Sequence, residues 1–533
     1  MITPAVPKVT NVRPVDRLSW LWLAIGAALL PFTSWQTVLP IAAWLAPVFI
    51  IRFARTQRVA VAVPVVVLVS CAAMAVTFRN GVLPAPPSIL IPIVAGYGLA
   101  GSLGFIADRL LAPRLGGLGR TLIFPLAVTT VDFLQARFNP ILGSFGSPAY
   151  SQAGNLPLLQ VVSLTGLWGL TFLISWLAPV ANAVWEHGGD WRAVRGSAGA
   201  FAATLLAVLL FGSGRLAFFP PASPAVRVAG LGAGRERYRA VTPDPFRLTP
   251  GTAAERAAVG AQFAPPLDAL FAHTQQAARA GARIVVWSED AALVLQEDVP
   301  AVIERAGTVA RQENIYLQIG LLVFRDTDHF PFDENRAVLV DPTGAVLWDY
   351  QKTFPTPGPE TFRMQRGGGL LPTAQTPFGR LATAICFDMD IPTLLRQVGQ
   401  ADADVLLAGY LEWEQVRFTH AGMATFRAIE NGASLVRPTG EGISTAVDYQ
   451  GRVLASVDYL ASEDPMLVTM LAAVPTKGAG TIYARIGDAF AYLSVAGLAL
   501  LIILALLPRR VGVIADTSTK TAGARRPAVA GAP

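Results

Sequence analysis

The chain has 533 residues, of which 53% are hydrophobic and only 15% charged, against roughly 25% charged residues in an ordinary soluble domain. That composition excludes a single cytosolic globule, and a count of two cysteines, Cys71 and Cys386, excludes a disulfide scaffold. Apolar residues dominate the first 220 positions, whereas about 226 to 480 has normal polarity, so a membrane half plus one soluble domain is expected. The net charge of +6 is spread between apolar runs and forms no basic stripe with interleaved aromatics, which leaves no support for a nucleic-acid partner.

Crossing the hydrocarbon as a helix takes about 20 apolar residues. Eight runs qualify: Leu18 to Gln36, Leu39 to Phe53, Val59 to Phe78, Ile89 to Ile106, Leu122 to Leu134, Leu158 to Val184, Ser197 to Phe211 and Phe490 to Leu507. With the N-terminus in the cytoplasm, sixteen Lys and Arg residues flank the inner ends and only Arg79, Arg137 and Arg215 the outer loops, which is the expected asymmetry of positive charge. The expected layout is a cytoplasmic N-terminus (1–17), a membrane domain of about seven transmembrane helices (18–215), an extracytoplasmic domain (225–480), a C-terminal transmembrane helix (488–507) and a disordered cytoplasmic tail (508–533). The protein is therefore expected in the cell membrane, with both termini cytoplasmic.

The polar segment alternates strand-like and helical patterns. Strands are expected at Ala225–Gly230, Arg283–Trp287, Ile315–Phe324, Arg336–Val340, Ala345–Tyr350, Leu381–Cys386, Val405–Ala408, Leu435–Pro438, Ser444–Asp448 and Val453–Val457. Helices are expected at Ala253–Ala280, Val299–Gln312, from Pro392, and at Glu414–Asn431. Apolar strands alternating with helices argue for an α/β sandwich with both sheet faces covered.

Three reactive side chains follow apolar strands, the position where open α/β folds carry their chemistry: Glu289, Lys352 and Cys386. Taken singly, Glu289 suits a solvated turn, Lys352 a solvated surface and Cys386 a small buried hydrophobe. Together they suffice for acyl transfer through a thioester, with Cys386 as nucleophile, Glu289 as proton acceptor and Lys352 stabilising thiolate and oxyanion. None of the four histidines stands in a Cys-His signature, no Gly-x-Ser-x-Gly elbow exists, and no spaced His/Cys set suggests a metal. No cofactor is expected.

These residues resemble the nitrilase, or carbon-nitrogen hydrolase, superfamily, in Ile284-Val285-Val286-Trp287-Ser288-Glu289, Tyr350-Gln351-Lys352-Thr353-Phe354 and Ala384-Ile385-Cys386-Phe387-Asp388. The resemblance implies an αββα sandwich using a Glu-Lys-Cys triad. Tyr150-Ser151-Gln152, Ser163 to Leu170, Phe426 to Gly432, Gly442-Ile443-Ser444 and Thr481 to Asp488 narrow the resemblance to a divergent branch of the apolipoprotein N-acyltransferase family. That resemblance implies a ping-pong reaction: Cys386 takes a fatty acyl chain from a membrane phospholipid and passes it to the α-amine of a diacylglyceryl-cysteine apolipoprotein. It also makes Glu360 a second acid at the site.

The chain departs from the family where Ser288 replaces a usual Pro, and where Phe387-Asp388 replaces a common Tyr-Glu pair. The tryptophan expected after the first strand is missing, and Tyr238 is the substitute nearest in sequence. Two alternatives stand beside the transferase: a membrane-tethered amidase with the same triad, and a non-enzymatic membrane scaffold. Arg427 and Glu430, three apart on one helix, suit a structural ion pair.

Overall fold

The computed structural model describes residues 16–79, 81–83, 85–139, 141–235, 252–358, 360–462 and 467–507. Tyr238, residues 1–15 and the tail 508–533 lie outside them.

The membrane half contains α1 (Ser19–Leu29), α2 (Pro40–Thr56), α3 (Val59–Phe78), α4 (Pro87–Leu111), α5 (Gly117–Phe138), the single turns α6 (Leu156–Leu159) and α7 (Val162–Thr165), α8 (Leu167–Glu186) and α9 (Trp191–Phe218). Six helices among the described residues are long and apolar enough to cross a bilayer: α3, α4, α5, α8, α9 and the C-terminal Ala489–Leu506. Their outward side chains, such as Leu68, Ile91, Leu210 and Ile503, are exposed and apolar, as lipid contact requires. Helix α2 has 17 residues and α1 has 11 before a 3-10 turn to Phe32, both short of a full span.

The expected continuous span Leu158 to Val184 is corrected here. Pro157 sits in the first turn of α6 under an Asn155 cap, and Gly166, at φ +63°, separates α7 from α8. A Cβ at Gly166 would fall 2.5 Å from the Tyr483 ring, so both the turn and the close approach call for glycine. Apolarity is continuous across this stretch, but the backbone direction is not.

The polar half begins with β1 (Ala225–Ala233), followed by α10 (Ala253–Arg279), β2 (Ile284–Trp287), β3 (Ala292–Leu295), α11 (Val299–Glu313), β4 (Tyr316–Phe324), β5 (Asp333–Val340) and β6 (Val346–Gln351). Next come β7 (Thr373–Thr376), β8 (Gly379–Ile385), α12 (Pro392–Gln400), β9 (Val405–Leu411), α13 (Arg417–Asn431), β10 (Ser434–Arg437) and β11 (Thr439–Gly440). The half closes with β12 (Ile443–Val447), β13 (Val453–Asp458), β14 (Leu467–Pro475), α14 (Ile482–Ile486) and the membrane helix α15 (Ala489–Leu506). Strands β3, β7, β11 and β14 add to those expected from sequence.

Two seven-stranded sheets result, ordered β14-β1-β2-β4-β5-β6 and β13-β12-β10-β9-β8-β7, with β3 on β4 and β11 on β9. Strands β1, β2 and β4 run parallel, as do β8, β9 and β10, and antiparallel strands flank each trio. Val228, Val286 and Leu339 of the first sheet share one core with Leu381, Leu407 and Val436 of the second. Helices α10 and α11 cover the outer face of the first sheet through Phe271, Val302 and Val309. The expected αββα sandwich is the observed fold.

Helix α13 has two apolar faces, which joins the halves. Ala424 and Ala428, four apart, face the sheet, while Met423, Phe426 and Ile429 enter a core with Trp35, Tyr150 and Trp168 of the membrane half. Polar bonds cross the same seam: Arg427 donates to Tyr150 Oη at 2.7 Å, Leu167 N–H to Glu430 at 2.9 Å, and Trp168 Nε1 to Asp488 at 2.7 Å. The family-like blocks far apart in the chain therefore meet in one interface. Arg427 and Glu430 are a buried pair at 2.7 Å.

Candidate active site

The three strand-end residues converge. Lys352 Nζ lies 2.6 Å from Glu289 Oε1, and both are buried, with relative exposures of 1% and 3%. Glu289 is held at both oxygens: Asn335 Nδ2 donates to Oε1 at 2.8 Å, and the Leu411 N–H donates to Oε2 at 2.9 Å. Cys386 Sγ stands 3.9 Å from the Leu411 carbonyl, so β9 delivers contacts to both base and thiol. Gly409 permits this approach, because a Cβ there would come within 2.8 Å of the Glu289 nitrogen.

Cys386 follows β8 in a left-handed conformation, φ +42°, at the start of a 3-10 turn to Asp390. A non-glycine residue pays for that conformation, and such strain recurs where a side chain is presented for chemistry. Asp388 anchors the turn. Its carboxylate accepts from Tyr350 Oη at 2.7 Å, Phe354 N–H at 2.8 Å and Ile385 N–H at 3.1 Å. These bonds tie the strand end before Lys352, the loop after it and the nucleophile's turn into one unit. Burial pushes the Asp388 carboxyl up to about 6, with the Tyr350 and Phe354 bonds pulling the other way. Asp388 faces this anchor, and Phe387 is packed into the core between the sheets.

Glu360 does reach the site: its Oε2 is 2.7 Å from Lys352 Nζ and accepts the Thr356 N–H at 2.8 Å. Thr356 Oγ1 takes a third Lys352 bond at 3.0 Å. An ammonium has three protons, so Lys352 is fully engaged at rest and must exchange a partner to meet an oxyanion. Ser288 accepts the Ala233 N–H at 3.0 Å, linking the end of β1 to the turn that carries Glu289.

Burial works against the Lys352 charge, but the carboxylates of Glu289 and Glu360 outweigh it and hold the ammonium well above its ordinary range. Burial and then the Glu289 carboxylate push the Cys386 thiol well above the usual value, against the pull of Lys352. The resting site can thus hold a neutral thiol beside a carboxylate–ammonium pair, with the proton passing to Glu289 as a carbon–sulfur bond forms.

Two participants escaped the sequence reading. Asn335 reads there only as a polar position within a strand. Asp290, at φ +52°, is buried beside the pair, and burial followed by Glu289 and Glu360 raises its carboxyl far above the usual range. The Trp-Ser-Glu-Asp run carried a faint signal of a second acid. Among the described residues no group of His, Cys, Asp and Glu is arranged to hold a metal ion.

A family model described as carbon-nitrogen hydrolase matches residues 253–482. The chain is 27% identical to an apolipoprotein N-acyltransferase of Geobacter metallireducens over 73% of this chain and 75% of the relative. It is 26% identical to the apolipoprotein N-acyltransferase of Bradyrhizobium diazoefficiens, over 75% of this chain and 76% of that one. An amidase structure from Nesterenkonia sp. aligns with 51% of this chain and 97% of its own, at 18% identity and a TM-score of 0.38. The relatives named as acyltransferases thus span both halves.

Proposed function

We propose that this membrane protein, whose polar half is a carbon-nitrogen hydrolase domain, is an N-acyltransferase that moves a fatty acyl chain from a membrane phospholipid to the N-terminal α-amine of a diacylglyceryl-cysteine apolipoprotein. The observation that carries the reading is the buried Glu289–Lys352 pair beside Cys386 in a domain packed on membrane helices. In the first half-reaction Cys386 Sγ attacks the ester carbonyl, Glu289 takes the thiol proton and returns it to the leaving oxygen as the carbon–oxygen bond breaks, and the lysophospholipid departs as an alcohol. In the second the acceptor amine attacks the thioester, gives a proton to Glu289, and regenerates the thiol. Lys352 steadies the oxyanion in both, releasing its Thr356 contact to do so.

A membrane-seated enzyme suits these substrates. Each methylene withdrawn from lipid costs about 0.8 kcal/mol, so extracting a whole chain into water is prohibitive. Chains left in the bilayer with only their head ends raised to the triad avoid that cost. Five described helices before the domain are long enough to cross, and with the shorter α1 and α2 counted as crossings the number is seven; either odd count, with the distribution of Lys and Arg, supports an extracytoplasmic catalytic half and cytoplasmic termini.

The test is to incubate purified full-length protein with phospholipid and search by mass spectrometry for a fatty acyl adduct on Cys386. The adduct is expected, and it should disappear when a diacylglyceryl-cysteinyl peptide with a free amine is added. Absence of the adduct together with turnover of small amides would replace the transferase by an amidase.

A further inference from the structure

Among the described residues of the membrane half, every acid that is not fully exposed is paired with an arginine, with one exception. Arg55 bonds Asp108 through two contacts of 2.7 Å and also reaches Glu186, which Arg120 joins, and Asp16 pairs with Arg52 at 2.9 Å. Asp190 caps α9 outside the bundle. Asp132, on α5, is buried yet contacts no Lys or Arg among the described residues. Its Oδ2 accepts from Ser147 at 2.7 Å and Thr171 at 2.8 Å, and Oδ1 accepts from no described residue. A carboxylate within a membrane bundle is costly and marks function unless compensated.

Asp132 lines a cavity of about 160 Å³ between α2, α3, α4, α5 and α8. Away from the catalytic half the wall is mostly apolar, with Gly104, Phe105, Phe124 and Val128, and Ser70 and Ser175 also line it. Toward the catalytic half it carries Asp132, Trp35, Tyr97 and Phe145. Trp35 meets the Tyr97 ring at 5.2 Å and the Phe145 ring at 5.1 Å, both edge-on. Trp35 adopts φ +75°, a conformation an aromatic residue rarely takes, and its ring lies against Gly146, where a Cβ would come within 2.2 Å.

We infer that this cavity is a binding site for a lipid-borne ammonium group, with the Asp132 carboxylate as counter-ion, the Trp35, Tyr97 and Phe145 rings as wall, and the apolar end receiving a chain. An unpaired carboxylate in a cavity walled by aromatic and apolar side chains suits an alkylammonium, whose charge meets the acid and whose carbons meet the rings. The inference rests on reading the chain as a lipid-handling transferase, and two sources offer this chemistry: a phospholipid amine headgroup and the α-amine of the lipidated acceptor. The loop that carries Phe145 and Ser147 also contacts the nucleophile's turn, since Ser144 N–H and Oγ both donate to the Asp390 carbonyl at 2.9 Å.

Native mass spectrometry of the full chain in detergent tests the site in two arms. One compares phosphatidylethanolamine with phosphatidylglycerol, the other a diacylglyceryl-cysteinyl peptide with its N-acetylated form. Wild type should prefer the amine-bearing member of at least one pair by about tenfold, and Asp132→Asn should reduce that preference to about twofold or less. The arm that responds identifies the source. Trp35→Leu keeps the carboxylate and should weaken the same member several-fold, which covers the case in which Asp132→Asn fails to fold. Equal binding within both pairs by wild type overturns the site, as does a preference that survives both substitutions. Amine-dependent binding without any acyl adduct on Cys386 would instead remove the transferase reading and leave the site standing.

Discussion

The carbonyl oxygen of Asp390 accepts both the backbone N–H and the hydroxyl of Ser144, each at 2.9 Å. Asp390 closes the 3-10 turn that Cys386 opens, so a loop of the membrane half is bolted directly to the nucleophile's turn. The transferase reading needs such a bolt, because a lipid ester must meet the thiol at a fixed height.

Gly143 lies next to that bolt and makes it testable. It adopts φ +52°, and a Cβ there would stand 2.6 Å from the Asp390 oxygen and 2.9 Å from Ile391 Cδ1. Gly143→Ala therefore meets backbone, which cannot swing away, and should cost about 1–3 kcal/mol at the seam. Thermal unfolding in detergent should register the loss, and Cys386 acylation should slow. An unchanged melting temperature and rate would mean that the loop and the turn are not coupled.

Glu289→Gln removes the proton acceptor while keeping the shape of the side chain. General-base catalysis typically contributes 10²- to 10⁴-fold, so single-turnover acylation of Cys386 should fall by about that factor while lipid binding survives. Lys352 keeps Glu360 as a partner, so the site should not collapse. Acylation within about threefold of wild type would strip Glu289 of the base role, given that same expectation.

Asp388→Asn tests positioning. The carboxylate collects two N–H groups and one hydroxyl within 3.1 Å, and an amide nitrogen facing those donors would push the turn away. A displacement of about 1 Å can cost 10²-fold in rate. Alkylation of Cys386 by iodoacetamide should change in parallel with acylation, since both report how the thiol is presented. A drop in acylation with unaltered alkylation would shift Asp388 toward substrate contact.

The convergence of Glu289, Lys352 and Cys386 was legible because each follows an apolar strand and the strands are patterned cleanly. Glu360 was legible only through the family resemblance, which implies an acid at that separation from the lysine. Asn335 was not, because its value lies in a cross-strand neighbour, and a polar residue in a strand carries no mark of what faces it. The break at Gly166 was hidden for a related reason: hydropathy sums side chains and is blind to a positive φ. Strand β7 reads as Thr-Ala-Gln-Thr and looks like loop, yet β8 supplies its register. Strand β14 buries alternate residues against β1, the far end of the sheet in sequence but its neighbour in space.

His420 gives a pH signature of the seam. Its Nδ1 lies 2.9 Å from Glu412 and its Nε2 3.5 Å from Asp390, while the Phe145 ring packs edge-on at 4.9 Å. Arg437, paired with Glu412 and stacked over Tyr410 at 3.9 Å, is the opposing cation. Burial disfavours the imidazolium and Arg437 adds to this, but Asp390 and Glu412 outweigh both and raise His420 above its ordinary value. A raised value means that the folded protein holds the proton more tightly than the unfolded chain. The stabilisation is complete below the unfolded value near 6.5 and fades as pH climbs through the folded one. The melting temperature of wild type should therefore decline from pH 6 toward pH 9 more steeply than that of His420→Gln, with the variant less stable at the acid end and the two curves converging at the alkaline end. Parallel curves across that range would mean that His420 is neutral in the fold and that Asp390 and Glu412 are compensated by Arg437 alone.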